Sequence, residues 1–304
     1  MVKAAVIDIG TNTFHLIIAK LTDGKVEVIY KTNIPVKLGE GRVNENIIIP
    51  EAFERGLQAL RQFKAEIERQ EVNSIKATAT SAVRSAVNGA EFVKAALTQT
   101  GIAIEVIDGE QEALYIFKGV QATAVISNTS LVMDIGGGST EFIICRPEEV
   151  LWKKSYNIGA ARLMQAFFKS DPISEADQSA IREHLASELT ALKLACESFK
   201  PTVLIGSAGA FETFAVLLQK DLDIENIAST TISVRGYHDL AARLLASTHE
   251  ERTHMEGLIP LRVDMIVMAV MLTNYVLEEF KLEKMWLSTY DLKMGVLYSL
   301  LQKV

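Results

Sequence analysis

Asp8-Ile9-Gly10-Thr11-Asn12-Thr13, near the start of the chain, has a counterpart in Asp134-Ile135-Gly136-Gly137-Gly138-Ser139-Thr140. Each follows a short apolar run, Ala4-Ala5-Val6-Ile7 or Leu131-Val132-Met133, and precedes another, Leu16-Ile17-Ile18 or Phe142-Ile143-Ile144. An apolar run, a glycine turn and a second apolar run predict strand, tight turn, strand. Glycines in such a turn let backbone N–H groups close on phosphate oxygens, and the Ser and Thr hydroxyls add donors. An Asp ending the first strand can face a hydrated Mg²⁺, a hard cation that prefers oxygen ligands. A single Asp-x-Gly is a common hairpin feature. Two copies in matching contexts predict two phosphate loops facing each other across a cleft.

At 304 residues the chain suits two domains of about 150 residues each. A hydrophobic content of 49% with 23% charged residues fits a soluble globular enzyme. The longest apolar stretch, Met265–Leu272, falls well short of a membrane span, so no membrane partner is expected. The N-terminus leads straight into a strand-like run, which predicts no signal peptide. Cys145 and Cys196 are isolated among apolar neighbours and read as reduced core residues, which points to the cytoplasm. The histidines show no ligand spacing, against a zinc site. A net charge of −7 argues against nonspecific nucleic-acid binding. It leaves room for a polyanionic substrate in a locally basic cleft, for which Arg84, Arg42, Lys37, Arg262 and Lys293 are candidates. For all of these but Arg84, a solvated surface cation is the simpler reading.

The first half reads as three strands, Lys3–Asp8, Phe14–Lys20 and Lys25–Lys31, then a helix after Pro50. A strand at Ile75–Ala79, a helix over 88–99 closed by Gly101, a strand at Ile102–Ile107 and a helix over 110–121 complete it. The second half repeats the order from strands at Ser130–Asp134, Glu141–Cys145 and Val150–Tyr156. There Ser174, with Asp177 three residues on, opens one long helix whose apolar face runs from Ile181 to Phe199. A strand at Thr202–Ile205 leads into a glycine loop, Gly206-Ser207-Ala208-Gly209. Helices at Phe211–Gln219, Tyr237–Ala246 and Arg262–Phe280, a strand at Lys284–Leu287 and a helix at Leu292–Leu301 follow. Each half thus reads βββ-α-β-α-β-α, giving an α/β fold with domains at 1–122 and 123–304. The final helix, 292–304, is expected to cross back to the first.

With the duplicated loops and this element order, the chain resembles the superfold of actin, sugar kinases and heat-shock ATPases, two ribonuclease-H-like domains each built on a mixed five-stranded sheet. Further segments resemble the exopolyphosphatase and guanosine-pentaphosphate phosphohydrolase (Ppx/GppA) family: Asp8 to Leu16, Thr80-Ser-Ala-Val-Arg84, Asp108-Gly-Glu-Gln-Glu112-Ala113, Asp134 to Glu141, Gly206 to Gly209 and Asp291-Leu-Lys-Met-Gly295. The motifs follow the family's order over nearly the whole chain, in its short two-domain form.

The resemblance implies roles residue by residue. Glu112 takes the place of the glutamate that orients and activates water, and Glu141 that of a carboxylate helping to hold metal or a second water. Asp8, Asp134 and Glu141 are assigned to Mg²⁺ or Mn²⁺. Gly10, Thr11, Asn12, Thr13, Arg84, Gly136, Gly137, Gly138, Ser139, Thr140, Gly206, Ser207 and Gly209 are assigned to phosphate. Simpler readings stand beside these: a helix-start charge for Glu112, a turn former for Asp8, a strand-end residue for Glu141, a strand-to-helix connector for Gly206–Gly209 and a core-edge residue for His15. Gln111, Lys293 and Met294 depart from the family pattern. The implied activity is hydrolysis of a terminal phosphoanhydride of inorganic polyphosphate or pppGpp by a cytoplasmic homodimer. A kinase of the same superfold and a noncatalytic phosphate or nucleotide sensor are the competing readings.

Overall fold

The computed structural model describes residues 2–207 and 209–301, so Ala208 of the Gly206–Gly209 loop lies outside the described residues. The chain divides into two compact units, Met1–Gly119 with Leu292–Val304, and Val120–Asp291.

The first unit opens with β1 (Val2–Ile9), β2 (Thr13–Thr22) and β3 (Lys25–Pro35), an antiparallel meander. Helix α1 (Pro50–Arg69) starts on Pro50, whose fixed φ and missing N–H suit a first helical position. It turns Leu57, Leu60, Phe63 and Ile67 inward. Then come β4 (Ser74–Ala79), the short α2 (Ser81–Ser85), α3 (Gly89–Thr100), β5 (Ile104–Val106) and α4 (Gly109–Ala122). Helix α3 ends at Gly101, which takes the left-handed conformation (φ 71°) that glycine adopts without penalty. The sheet order is β3-β2-β1-β4-β5, with β1, β4 and β5 parallel.

The second unit repeats the plan. Its meander is β6 (Ser130–Ile135), β7 (Thr140–Arg146) and β8 (Glu149–Tyr156). Helices α5 (Ala160–Phe167), α6 (Glu175–Glu188) and α7 (Thr190–Phe199) lead to β9 (Val203–Ser207) and α8 (Gly209–Leu218). After β10 (Ser229–Ile232) come α9 (Val234–Ala246), α10 (His249–Thr253), α11 (Met265–Phe280) and β11 (Met285–Ser288). The last helix, α12 (Leu292–Leu301), belongs to the first unit, where it packs on β1, β2 and β3. Gly295 permits a close approach there, since a Cβ would lie 1.7 Å from the Tyr115 carbonyl oxygen of α4. Among the described residues no helix is long and apolar enough to cross a membrane.

The α/β class and the two mixed sheets agree with the sequence expectation, and four details correct it. The second sheet has six strands, β10-β11-β9-β6-β7-β8, because the short run Ser229–Ile232 pairs antiparallel with β11 at the edge. The long helix breaks at Leu189 (φ −90°, ψ 15°) into α6 and α7. Ser174 does cap α6, accepting from the Asp177 amide at 3.1 Å, but the Asp177 carboxylate accepts from Ser170 Oγ. Helix α11 begins at Met265, with Pro260–Arg262 as a separate 3-10 turn.

Candidate active site

The two loops share one geometry. In the first, Gly10 N donates to Thr13 O at 3.2 Å; in the second, Gly136 N donates to Ser139 O at 2.9 Å. In both, a Cβ on the glycine would lie 2.9 Å from that carbonyl oxygen, closer than side chains tolerate. What lies behind each loop decides where its amides point. Behind the second, the start of α5 takes up the loop carbonyls: Ala160 N donates to Gly136 O, Ala161 N to Gly137 O, and buried Arg162 Nε to Gly138 O, each at 2.9 Å. A trans peptide holds each C=O opposite the next N–H. The amides of Gly137, Gly138 and Ser139 therefore face away from α5, a run of convergent donors suited to an anion. Behind the first loop the segment after β3 does the same, with Lys37 N on Asn12 O at 2.7 Å and Gly39 N on Thr11 O at 2.9 Å.

Each backing segment depends on a glycine that sequence reading missed. A Cβ on Gly159 would come within 2.5 Å of the Gly137 backbone, and one on Gly39 within 2.5 Å of Thr11 Cγ2. The available signal was a glycine shortly after the third strand of each half. Thr140, by contrast, is fully buried and donates to Ile158 O at 3.3 Å, so its hydroxyl braces the sheet.

Strand register turns the two aspartates into centres of polar rows. Residues opposite one another on neighbouring strands share a sheet face. In the first sheet the row through Asp8 is Asn33, His15, Asp8, Thr78, Glu105. In the second, the row through Asp134 is Ser155, Glu141, Asp134, Ser207, Ser288, Ser229. His15 thus occupies in the first sheet the place of Glu141 in the second. Ser155 Oγ donates to Glu141 Oε1 at 2.6 Å, and Ser207 Oγ donates to Asp134 Oδ2 at 2.8 Å.

Glu112 and Arg84, assigned separately from sequence, meet in the structure. Asp108 caps α4: its Oδ1 accepts from Gln111 N at 2.7 Å and its carbonyl from Glu112 N at 3.0 Å. That places Glu112 in the first turn of α4. Arg84 lies in the last turn of α2, just beyond the C-terminal end of β4. Its Nη1 donates to Glu112 Oε2 at 2.7 Å and to Ile107 O at 3.0 Å. The Glu112 side chain is 8% exposed and that of Arg84 21%. A carboxylate this buried needs its cation. Both bonds use Nη1, so the rest of the guanidinium fork takes no part in them. The hydroxyl of Ser81, in the same segment, is buried with no hydrogen-bond partner.

Around the third glycine loop, Gly206 is dictated by packing, since a Cβ would sit 1.9 Å from Cγ of Phe211. Gly209 is left-handed (φ 52°), and a Cβ there would lie 3.2 Å from Arg262 Nη1. Burial lowers the Arg262 guanidinium from its ordinary pKa, while Glu212 and Asp134 oppose that shift. Arg262 therefore sets a cation beside Asp134, in the polar site of the second unit. The other candidate cations do less: Arg42 is bonded to Glu45, and Lys37 serves the first loop through its backbone. Met294 is buried beside Gly295, so the departure there fills the interior.

Among the described residues no group of three or more His, Cys, Asp or Glu side chains converges as a metal cage. Asp134 and Glu141, directly opposite each other across β6 and β7, offer hard oxygen donors from one face. That donor set fits Mg²⁺, which keeps several waters and completes its shell with substrate phosphates.

The sequence profile of the Ppx/GppA phosphatase family matches residues 17–304. Among solved structures, an exopolyphosphatase from Cytophaga hutchinsonii is 38% identical with a TM-score of 0.96, covering 99% of this chain and 98% of its own. The Aquifex aeolicus member of the Ppx/GppA family is 28% identical with a TM-score of 0.83, with the same coverage. A guanosine-5'-triphosphate,3'-diphosphate pyrophosphatase of Pseudoalteromonas translucida is 30% identical over 99% of this chain, which spans 59% of that relative's length. On this evidence the chain belongs to the Ppx/GppA phosphatase family.

Proposed function

We propose that this protein hydrolyses the terminal phosphoanhydride of inorganic polyphosphate or pppGpp and releases orthophosphate. The observation that carries the reading is the Arg84–Glu112 pair off the C-terminal ends of β4 and β5, in a unit that also holds a loop with outward-facing amides. Polyphosphate is the favoured substrate. The similarity to an exopolyphosphatase runs end to end, whereas the pyrophosphatase relative extends well beyond the match.

In this reading Glu112 accepts a hydrogen bond from the attacking water and takes its proton. The water oxygen bonds to the terminal phosphorus, the bond to the bridging oxygen breaks, and that oxygen leaves on the shortened chain. The carboxylate's charge orients the water and receives its proton, which in a loose transition state is lost late. Arg84 turns its remaining donors to phosphate, whose oxygens suit the planar fork. The amides of the first loop, in the same unit as Glu112 and Arg84, stabilise charge on the phosphoryl oxygens. Asp134 and Glu141 are the groups to hold Mg²⁺, which when bound neutralises phosphate charge.

The test is phosphate release by the purified protein from long polyphosphate, pppGpp, ATP and ADP side by side, with and without Mg²⁺. Release from polyphosphate or pppGpp without an acceptor supports hydrolysis; release from neither refutes it. A cytoplasmic homodimer belongs to the same reading, and light scattering checks the dimer.

A further inference from the structure

Asp134 and Glu141 stand directly opposite each other on antiparallel strands, where side chains are about 5 Å apart and like charges repel. The sheet nevertheless keeps the two together, with Glu141 1% exposed and Asp134 partly buried. The row shows how. From β8, on the far side of Glu141, Ser155 Oγ reaches Oε1 at 2.6 Å. From β9, on the far side of Asp134, Ser207 Oγ reaches Oδ2 at 2.8 Å. The acid pair is thus held by a hydroxyl from each flank. A hydroxyl orients and stabilises a carboxylate without cancelling its charge, which leaves that charge to Arg262, beside Asp134, and to a divalent cation. The corresponding row of the first sheet lacks this arrangement. There Thr78 Oγ1 donates to Ile7 O, and the place of Glu141 is taken by His15.

We propose that Ser155 and Ser207 are positioning residues that fix the orientation of the Glu141 and Asp134 carboxylates for a divalent cation. Ser207 then serves through Asp134, in place of the direct phosphate contact expected from its loop. The proposal rests on the hydrolase reading above and deepens it.

The test compares wild type, Ser155→Ala, Ser155→Thr and Ser207→Ala as full-length protein on long polyphosphate over a range of Mg²⁺. Removing a group that orients a metal ligand typically costs about 10–100-fold in metal affinity or activity. The expected result is a Mg²⁺ requirement raised about tenfold or more in both alanine variants, at the low end of that range. The polyphosphate KM at saturating Mg²⁺ should stay within about threefold of wild type, and Ser155→Thr should restore the Mg²⁺ requirement, because it returns the donor. A Mg²⁺ requirement unchanged in the alanine variants would overturn the proposal, as would a Thr variant no better than Ala. If wild type itself releases no phosphate, the hydrolase reading fails separately. The proposal is then decided by crystal structures of wild type and Ser155→Ala: a displaced Glu141 carboxylate upholds it, and an unmoved one overturns it.

Discussion

Replacing Arg84 by Ala tests whether the Arg84–Glu112 bond is a working part of the first unit. The substitution strands a carboxylate that is only 8% exposed. Breaking a buried ion pair from one side costs about 3–5 kcal/mol. Arg84 is 21% exposed, so water takes up part of that loss. The expectation is therefore about 2 kcal/mol, below the fully buried figure. For a domain of this size that corresponds to roughly 6 °C in melting temperature. Glu112→Gln removes the stranded charge, so the double variant should recover about 1 kcal/mol or more of the single variant's loss, a coupling typical of groups in contact. Activity should behave oppositely, with the double variant no better than either single one. The assay is a double-mutant cycle by urea unfolding, with phosphate release measured on the same samples. Additive stabilities, or an Arg84→Ala variant within about 0.5 kcal/mol of wild type as for an ordinary surface change, would refute the reasoning.

Gly159→Ala should abolish phosphate release while leaving the first unit folded, because its Cβ would collide with the Gly137 and Gly138 backbone; activity within a few-fold of wild type would contradict the loop assignment. Asp134→Ala should remove the stimulation by Mg²⁺, and full wild-type activity in excess chelator would count against the metal assignment. For Asp171, burial raises the carboxyl pKa, but the His249 amide and the Arg252 guanidinium outweigh it and hold the value below the usual carboxylate range. A lowered folded pKa contributes stability above the unfolded value of about 3.9 and loses it as pH falls through the folded value. Asp171→Asn should therefore be less stable than wild type at neutral pH, with the gap closing as pH falls below about 3.9 and through the lowered folded value; a pH-independent gap in thermal melts would contradict this.

What could be read from sequence was what local residues dictate. Gly10 and Gly136 announce their turns because the constraint lies three residues away, at Thr13 and Ser139. Gly101 ends α3 through its own backbone conformation. Gly39 and Gly159 were missed because what excludes a side chain there is a distant loop brought in by folding. Arg84 and Glu112 were each singled out, but no period or spacing links residues on α2 and α4. Ser155 looks like any strand serine until register sets it opposite Glu141. The helix break at Leu189 escaped because the apolar pattern continues across it: Leu185, Leu189 and Leu192 are all buried. Strand β10 is four residues long and earns its place only by pairing with β11.

The most direct test of the account is the turnover of Glu112→Gln on long polyphosphate beside that of Glu110→Gln. The first keeps shape and most hydrogen bonding but removes the charge that orients water and accepts its proton. The second changes an exposed residue two positions earlier, turned about 200° around the helix. The account predicts a fall in kcat of about 10²–10⁴-fold for Glu112→Gln, the range of general-base contributions, with polyphosphate still bound. It predicts a rate near wild type for Glu110→Gln. Rates within a few-fold of wild type for both would mean that Glu112 is a helix-start charge and that the catalytic group lies elsewhere, with Glu141 the next residue to replace.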